Sequence, residues 1–375
     1  NRRAVEKWDA WPDAWIIPAD EENQAGVRYA LRSLVMAEVE VHRAEAPFSA
    51  DGLDFPAGSY VIPMNQPYAS FANTMLEVQH YPDLREYPGG PPLRPYDVTA
   101  HTLGLLLDFE AIAVDGPIGA RLSPPIPVPD FDFRLPAHLA GPTAPRVALY
   151  KSWQEPMTAG WQRWVFDQHA MPYDTLHDAD IRAGALAAYD VLIFQSQEPG
   201  SIQDGFRADE MPAPYVGGLA GQGSDEVRAF VRNGGRVVAV EGATEYVAEL
   251  FGLGLRDATS RLSGSEFYVP GSLLRLELQA GSDLTEGMRS EVAAWFWEGS
   301  RAFEVNDPRV RVAARYGAGD PLLSGWAIGG AHLEGEPAIL EADLGSGSVV
   351  LFGFQPNYRG QSMATWPLLF NAIRK

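Results

Sequence analysis

The chain has no cysteine among its 375 residues. This excludes disulfides, thiolate metal sites and a cysteine nucleophile. It leaves the compartment open, because exported bacterial proteins can also lack cysteine. Positive charge is scarce: 29 Lys and Arg stand against 49 Asp and Glu, for a net charge of −20. Such a surface repels phosphate backbones, so nucleic acid is not an expected partner. No segment reaches the roughly 20 continuous apolar residues of a membrane span. The chain starts at Asn1 rather than Met. The expectation is a processed chain or a piece of a longer one, with any signal peptide outside it. What is present is ordinary for a globular protein: 46% hydrophobic and 21% charged residues, enough for a sizeable core. At roughly 150 residues per domain, the length predicts two or three domains.

Residues 1–118 read as a small α/β domain. Trp15–Pro18, Val39–His42 and Ser59–Ile62 have strand patterns, and Val27, Leu31, Leu34 and Val35 recur at helix spacing. Phe71, Met75, Leu76 and Val78 predict a second helix, and Leu103, Leu106 and Leu107 a third. Residues 119–145 hold Pro124-Pro125-Ile126-Pro127-Val128-Pro129 and read as an extended linker. From 146 onward, Arg146–Tyr150, Asp190–Phe194 and Arg236–Val240 are continuous apolar strands separated by helical stretches. That order predicts a doubly wound, mostly parallel sheet of flavodoxin-like kind. One helix carries Trp161, Trp164, Val165 and Gln168 on a common face, and another is capped by Ser224 and closed by Gly234. Residues 255–340 break the rhythm and predict an antiparallel insertion, with Trp295-Phe296-Trp297 as a core plug or interface anchor. Ser348–Phe354 is a last strand, followed by a helix over 365–374.

The stretch Gly234-Gly235-Arg236-Val237-Val238-Ala239-Val240-Glu241-Gly242-Ala243 is a glycine turn, a buried strand and a sharp elbow leading into a helix. In one large class of α/β enzymes that elbow carries the nucleophile. Here it carries Glu241, Gly242 and Ala243.

Several strings together resemble a known architecture. They are Pro56–Ile62, Gln66-Pro67, Pro95–Thr99, Leu149–Trp153, Gly160–Trp164 and Gly353–Gln361. The chain resembles the C-terminal region of bacterial zinc carboxypeptidase family proteins, which ends in a class I glutamine amidotransferase-like domain. The resemblance covers nearly the whole chain through many short strings. It implies a secreted or periplasmic protein and a zinc-dependent peptidase domain upstream. That family binds zinc through a His-x-x-Glu pair and a distant histidine. His42-Arg43-Ala44-Glu45 has this spacing but is cut off by Pro47 and lacks a glycine-rich entry turn. No cofactor is therefore expected in this chain, and zinc only in the absent peptidase domain. The amidotransferase nucleophile is a cysteine at the elbow, served by a histidine after a late strand and an acid. Its place falls near Glu241, and none of His169, His177 or His332 stands after a late strand. A glutamate cannot replace the attacking thiolate.

In open parallel sheets, ligands sit beyond the carboxyl ends of the strands. Those ends here are Lys151-Ser152, Gln195-Ser196-Gln197, Glu241 and Gln355. Ser152, Gln195, Glu241 and Gln355 are the candidate ligand-binding residues. The plainer alternative is that they satisfy loop backbones and each other. Arg359 is a further candidate, as a bidentate carboxylate clamp or as a structural ion pair. Trp153, Trp161 and Trp164 offer a sugar-stacking face or, at helix spacing, core. The expectation is a non-catalytic accessory portion that supports the upstream peptidase domain or its peptide substrate. The alternatives are a carbohydrate- or peptide-binding module and a hydrolase using Ser152, Ser196 or Thr244 with a histidine, although no Gly-x-Ser-x-Gly elbow occurs.

Overall fold

A computed structural model describes residues 11–374. They form two compact units, one of residues up to 81 plus 98–132, the other of 82–97 plus 133 onward. No helix among the described residues is long and apolar enough to cross a membrane.

The first unit contains β1 (Ala14–Ile17), α1 (Gln24–Met36), β2 (His42–Arg43), β3 (Phe48–Ala50), β4 (Leu53–Phe55), β5 (Tyr60–Pro63), α2 (Ala69–Leu76), α3 (Leu103–Leu107) and β6 (Ile112–Val114). Its four-stranded sheet has the order β2-β5-β1-β6, antiparallel throughout, with β3 and β4 as a separate hairpin. Alternation along β1 sends Ala14 and Ile16 into one cluster with Phe55, Val61 and Val114. The other face receives α2, whose Asn73 accepts from the Trp15 indole at 3.2 Å. The predicted second helix exists and Leu76 faces inward as expected, but Phe71 and Val78 are exposed, and Ala72 and Asn73 are buried in their place.

The proline-rich stretch is not a free linker. Its first part runs beside β2, with Ser123 N donating to Arg43 O at 2.9 Å and Ile126 N to Val41 O at 2.8 Å. Prolines suit such a position because an edge partner needs only some of its N–H groups. The limits drawn at 118 and 145 therefore give way to a division at 132, with 82–97 joining the second unit.

The second unit contains β7 (Val147–Tyr150), α4 (Met157–Gln168), β8 (Asp174–Leu176), α5 (Asp178–Arg182), β9 (Val191–Phe194), α6 (Pro199–Gln203), α7 (Ala220–Arg232), β10 (Arg236–Val240) and α8 (Gly242–Phe251). It continues with β11 (Leu255–Asp257), β12 (Ser272–Leu278), β13 (Glu291–Phe296), β14 (Phe303–Val305), β15 (Val310–Tyr316), β16 (Leu322–Ser324), β17 (Pro337–Leu344), β18 (Gly347–Phe352) and α9 (Trp366–Ala372). One ten-stranded sheet runs β13-β12-β15-β17-β18-β10-β9-β7-β8, with β16 also on β12. Strands β18, β10, β9, β7 and β8 are parallel. From β17 outward every pairing is antiparallel. The predicted antiparallel insertion is thus a continuation of the main sheet, joined to it where β17 pairs with β18 over Ile339↔Phe352 to Leu344↔Gly347.

The parallel strands are buried on both faces, which their β-branched sequences require. Leu149, Ile193, Val240 and Phe352 point to one side, where α4 and α9 bring Val165, Phe166, Leu368 and Leu369. Leu192, Phe194, Ala239 and Leu351 point to the other, where α5 to α8 bring Ile181, Ile202, Val227 and Val247. Each of the Leu, Ile, Val and Phe side chains among them contributes about 1.5–3 kcal/mol by leaving water. Two helix readings shift. In α4 the inward residues are Thr158, Ala159, Gln162, Val165 and Phe166, while Gln168 is exposed. Ser224 lies inside α7 rather than capping it, and bonds the Tyr246 hydroxyl at 2.9 Å.

The parallel and antiparallel halves meet at Gly353. A Cβ there would stand 2.4 Å from Arg301 O and 3.1 Å from Ala338 O, both backbone atoms that cannot yield cheaply. Gly353→Ala should therefore cost about 1–3 kcal/mol, read as a lower denaturation midpoint at unchanged slope in urea unfolding.

Candidate functional site

β10 delivers the chain to the elbow and α8 leads it away. Glu241 at the bend has φ +47° and ψ −118°, a conformation that costs a non-glycine residue about 1–3 kcal/mol. Local bonds hold it there. Glu241 N donates to Phe352 O at 2.8 Å, and Thr244 donates to Glu241 O through its N–H at 2.9 Å and its hydroxyl at 2.5 Å. The next residue must be glycine, because a Cβ on Gly242 would lie 2.8 Å from Gln197 O. The sharp strand-to-helix elbow predicted over Glu241, Gly242 and Ala243 is present, and the residue at its strained apex is the glutamate.

The Glu241 side chain is fully buried. Its Oε1 accepts from the Trp297 indole at 2.6 Å and from the Ser300 hydroxyl at 2.9 Å. Its Oε2 is buried without a well-aligned donor. Burial pushes the carboxyl above its ordinary value of 4.5, and the hydroxyls of Ser196 and Ser300, the Trp297 indole and the charge of Arg301 pull the other way. Trp297 and Ser300 belong to the turn after β13, and Trp297 packs on Tyr358, itself stacked on Trp295 at 4.6 Å. The predicted aromatic plug thus sits on the elbow.

Gln195 and Gln355 meet, but as members of a closed ring of buried amides. Gln355 Nε2 donates to Gln195 Oε1 at 3.0 Å and to Asn357 Oδ1 at 2.5 Å. Gln195 Nε2 and Asn357 Nδ2 both donate to Gln162 Oε1, at 2.9 and 3.0 Å. The four side chains occupy the carboxyl ends of β9 and β18, where a ligand would otherwise enter. Ser152 stands apart: its Oγ accepts from Gln154 N at 3.0 Å, a local turn bond. Arg359 is a structural partner of Asp97, bidentate at 3.1 and 2.7 Å, with its guanidinium 5.3 Å from the Tyr358 ring centre. The five candidates therefore do not line one pocket.

The remaining constellations resolve in the same direction. The His42 ring bonds Ser123 O at 2.8 Å, and Glu45 pairs with Arg121 at 2.5 Å, so the His-x-x-Glu spacing holds the start of the proline-rich stretch and does not fit a zinc pair. Among the described residues no cluster of three or more His, Asp or Glu side chains is arranged to hold a metal ion. His169 is packed against Phe133, Trp366 and Phe370, its Nδ1 on Val165 O at 2.7 Å, and burial lowers its pKa. His177 caps α5 and stacks on Trp153 at 3.9 Å. Trp161 packs on Trp297 and Tyr358, and Trp164 on Phe133 and Trp366, so neither continues the Trp153 face. Gln162, Asn357, Trp297, Ser300 and Arg301 are the site residues that sequence reasoning missed. Asn357 was legible as the alternate residue after Gln355. The aromatic cluster marks Trp297 as a buried anchor, but nothing local ties Trp297 or Ser300 to Glu241, which lies more than 50 positions away and which they reach only through the sheet.

No protein-family model matches the chain, and no curated protein matches it. Solved structures give distant likenesses. A cytoplasmic protein from Salmonella typhimurium matches with a TM-score of 0.40 at 11% identity, over 61% of this chain and all of that one. A putative GMP synthase subunit from Thermoplasma acidophilum gives 0.39 at 11% identity, over 61% of this chain and 92% of that one. A β-galactosidase from Bacillus circulans gives 0.38 at 15% identity, over 60% of this chain but 30% of that one. Likeness at this level assigns no function.

Two outcomes follow from the buried carboxyl and the amide ring. A carboxyl with a raised folded-state pKa binds more protons folded than unfolded, so its contribution to stability falls as pH rises from about 4.5 toward the folded value. Glu241→Gln removes that loss. The stability of the variant relative to the parent should therefore increase from pH 4.5 to pH 8 in parallel melts; a constant difference would show normal ionisation. Gln355→Leu strands buried groups on Gln195 and Asn357 and should cost about 1–3 kcal/mol, measured by urea titration.

Proposed function

We propose that this chain is a non-catalytic accessory portion of a zinc carboxypeptidase-like protein, supporting or positioning a peptidase domain that the chain does not itself contain. Its second unit is, in this reading, a flavodoxin-like, class I glutamine amidotransferase-like domain that has kept the scaffold and lost the reaction. The strand order supports the finer fold: counted in chain order, the parallel strands lie 2-1-3-4-5 across the sheet.

One observation carries the reading. The elbow apex, where the attacking group would stand, holds a carboxyl sealed under Trp297 and Ser300 with no exposed surface. A nucleophile must reach the carbonyl it attacks, and an activated one needs a base within hydrogen-bond reach. Neither condition is met at Glu241. The histidine of that class stands after a late strand, and the residues after β18 are Gln355 and Asn357, amides bonded to other amides. The alternative nucleophiles fare no better. Ser152 accepts a backbone N–H, the Thr244 hydroxyl donates to Glu241 O, and among the described residues no hydrogen bond joins either of them or Ser196 to a histidine.

The test has two arms. The isolated chain, incubated with peptides bearing free C-termini and with glutamine, in the presence and absence of zinc, should release neither amino acid nor ammonia; chelator-sensitive release would overturn the reading. The native polypeptide, captured from its source with an antibody to this chain, should carry stoichiometric zinc and peptidase activity. A captured polypeptide without either would remove the accessory role.

A further inference from the structure

A cleft of about 450 Å³ lies beside the elbow helix, bounded by the outer face of α8, the β11–β14 ribbon and the 258–261 turn. Its size falls in the range of small-molecule sites. Ala248, Leu253, Leu255 and Phe303 supply an apolar wall. Its charged groups divide into committed and uncommitted sets. Arg256 is paired with Glu304 at 2.5 Å, and Asp257 accepts from the N–H and hydroxyl of Thr259, both at 2.8 Å. Among the described residues the side chains of Glu249 and Arg261 have no partner. Glu245 and Arg301 touch only at 3.5 Å, and Arg301 Nε is buried without an acceptor.

We propose that this cleft binds a small zwitterion of amino-acid type with an apolar side chain. The free Arg261 and the under-used Arg301 would take the carboxylate, since a guanidinium matches a carboxylate in a two-pronged bond. Glu249 and Glu245 would take the ammonium, and the Leu255–Phe303 wall the side chain. Both signs of charge are uncommitted in one concavity of a chain that carries 20 excess negative charges, so a simple cation or a simple anion would leave one set unmatched. The cleft is also coupled to the elbow. Arg301 follows Ser300, which holds Glu241, and Arg301 N donates to Gly353 O at 2.6 Å across the junction of the two half-sheets. The site needs no catalytic group and stands whether or not a peptidase domain accompanies the chain.

Titration calorimetry on the full chain with L-leucine, L-phenylalanine and L-methionine tests it. At least one should bind saturably at a single site. Leucinamide, which lacks the carboxylate, and 4-methylpentanoate, which lacks the ammonium, should each bind about tenfold or more weakly, the loss expected when a charged hydrogen-bond partner is removed. Arg261→Gln alters an exposed side chain with no partner in the fold, so it should weaken binding by a similar factor at unchanged melting temperature; Arg301→Met should do so at least as strongly. Absence of saturable heat with all three amino acids at 10 mM, on the order of the weakest affinities of interest, would overturn the proposal. So would equal binding of either single-charge analogue, or of the folded Arg261→Gln variant.

Discussion

Glu241 holds a backbone conformation that strains it and a side chain that burial penalises, and both are sustained by the pairing of β17 with β18. That pairing welds the antiparallel strands onto the parallel ones and so fixes the turn 297–301 above the elbow. Remove the register between Ile339 and Phe352, and Trp297 and Ser300 lose their place over the carboxyl. The elbow is therefore a tertiary arrangement rather than a local motif. β10 and α8 set its shape, and a segment far along the chain sets its chemistry.

The same weld explains how the strand ends are used. In an open parallel sheet the carboxyl ends of the strands form a natural entrance. Here α4 turns Gln162 inward, Gln195 and Gln355 follow the ends of β9 and β18, and Asn357 closes the circuit. This ring of neutral amides specifies one packing without the desolvation cost of buried ions, although Gln162 Nε2 and Gln355 Oε1 are buried without a partner. Arg359, two residues beyond, is spent on Asp97. The polar groups that make this end of the sheet look like a binding site in one dimension are the groups that close it in three.

Much of the second unit was legible because its strands are continuous apolar runs and its elbow carries glycine where a neighbouring carbonyl leaves no room for a side chain. The apolar runs 236–240 and 310–315 match their strands to within a residue. The phase of α4 is not legible, because tryptophan at helix spacing marks the wrong face: Gln162 is buried and Trp164 is over a third exposed. The proline stretch reads as a spacer because its composition cannot form a helix. Composition alone does not reveal that an exposed strand edge at Val41–Arg43 lies waiting for it. The role of Trp297 and Ser300 depends on β13 joining the same sheet as β10, a pairing that no spacing in the sequence encodes.

The central strand of the parallel half has a further consequence during synthesis. Val238 is flanked by Ile193 on one side and Val350 on the other. The first neighbour leaves the ribosome before β10, the second more than a hundred residues after it. Until then one edge of β10 and the apolar faces beside it have no lasting cover, while the intervening strands can form hairpins among themselves. Contacts of such long sequence separation form late. A nascent chain stalled before residue 348 would therefore expose the unpaired apolar edge of β10, and would be a natural client for chaperones that shield unpaired strands.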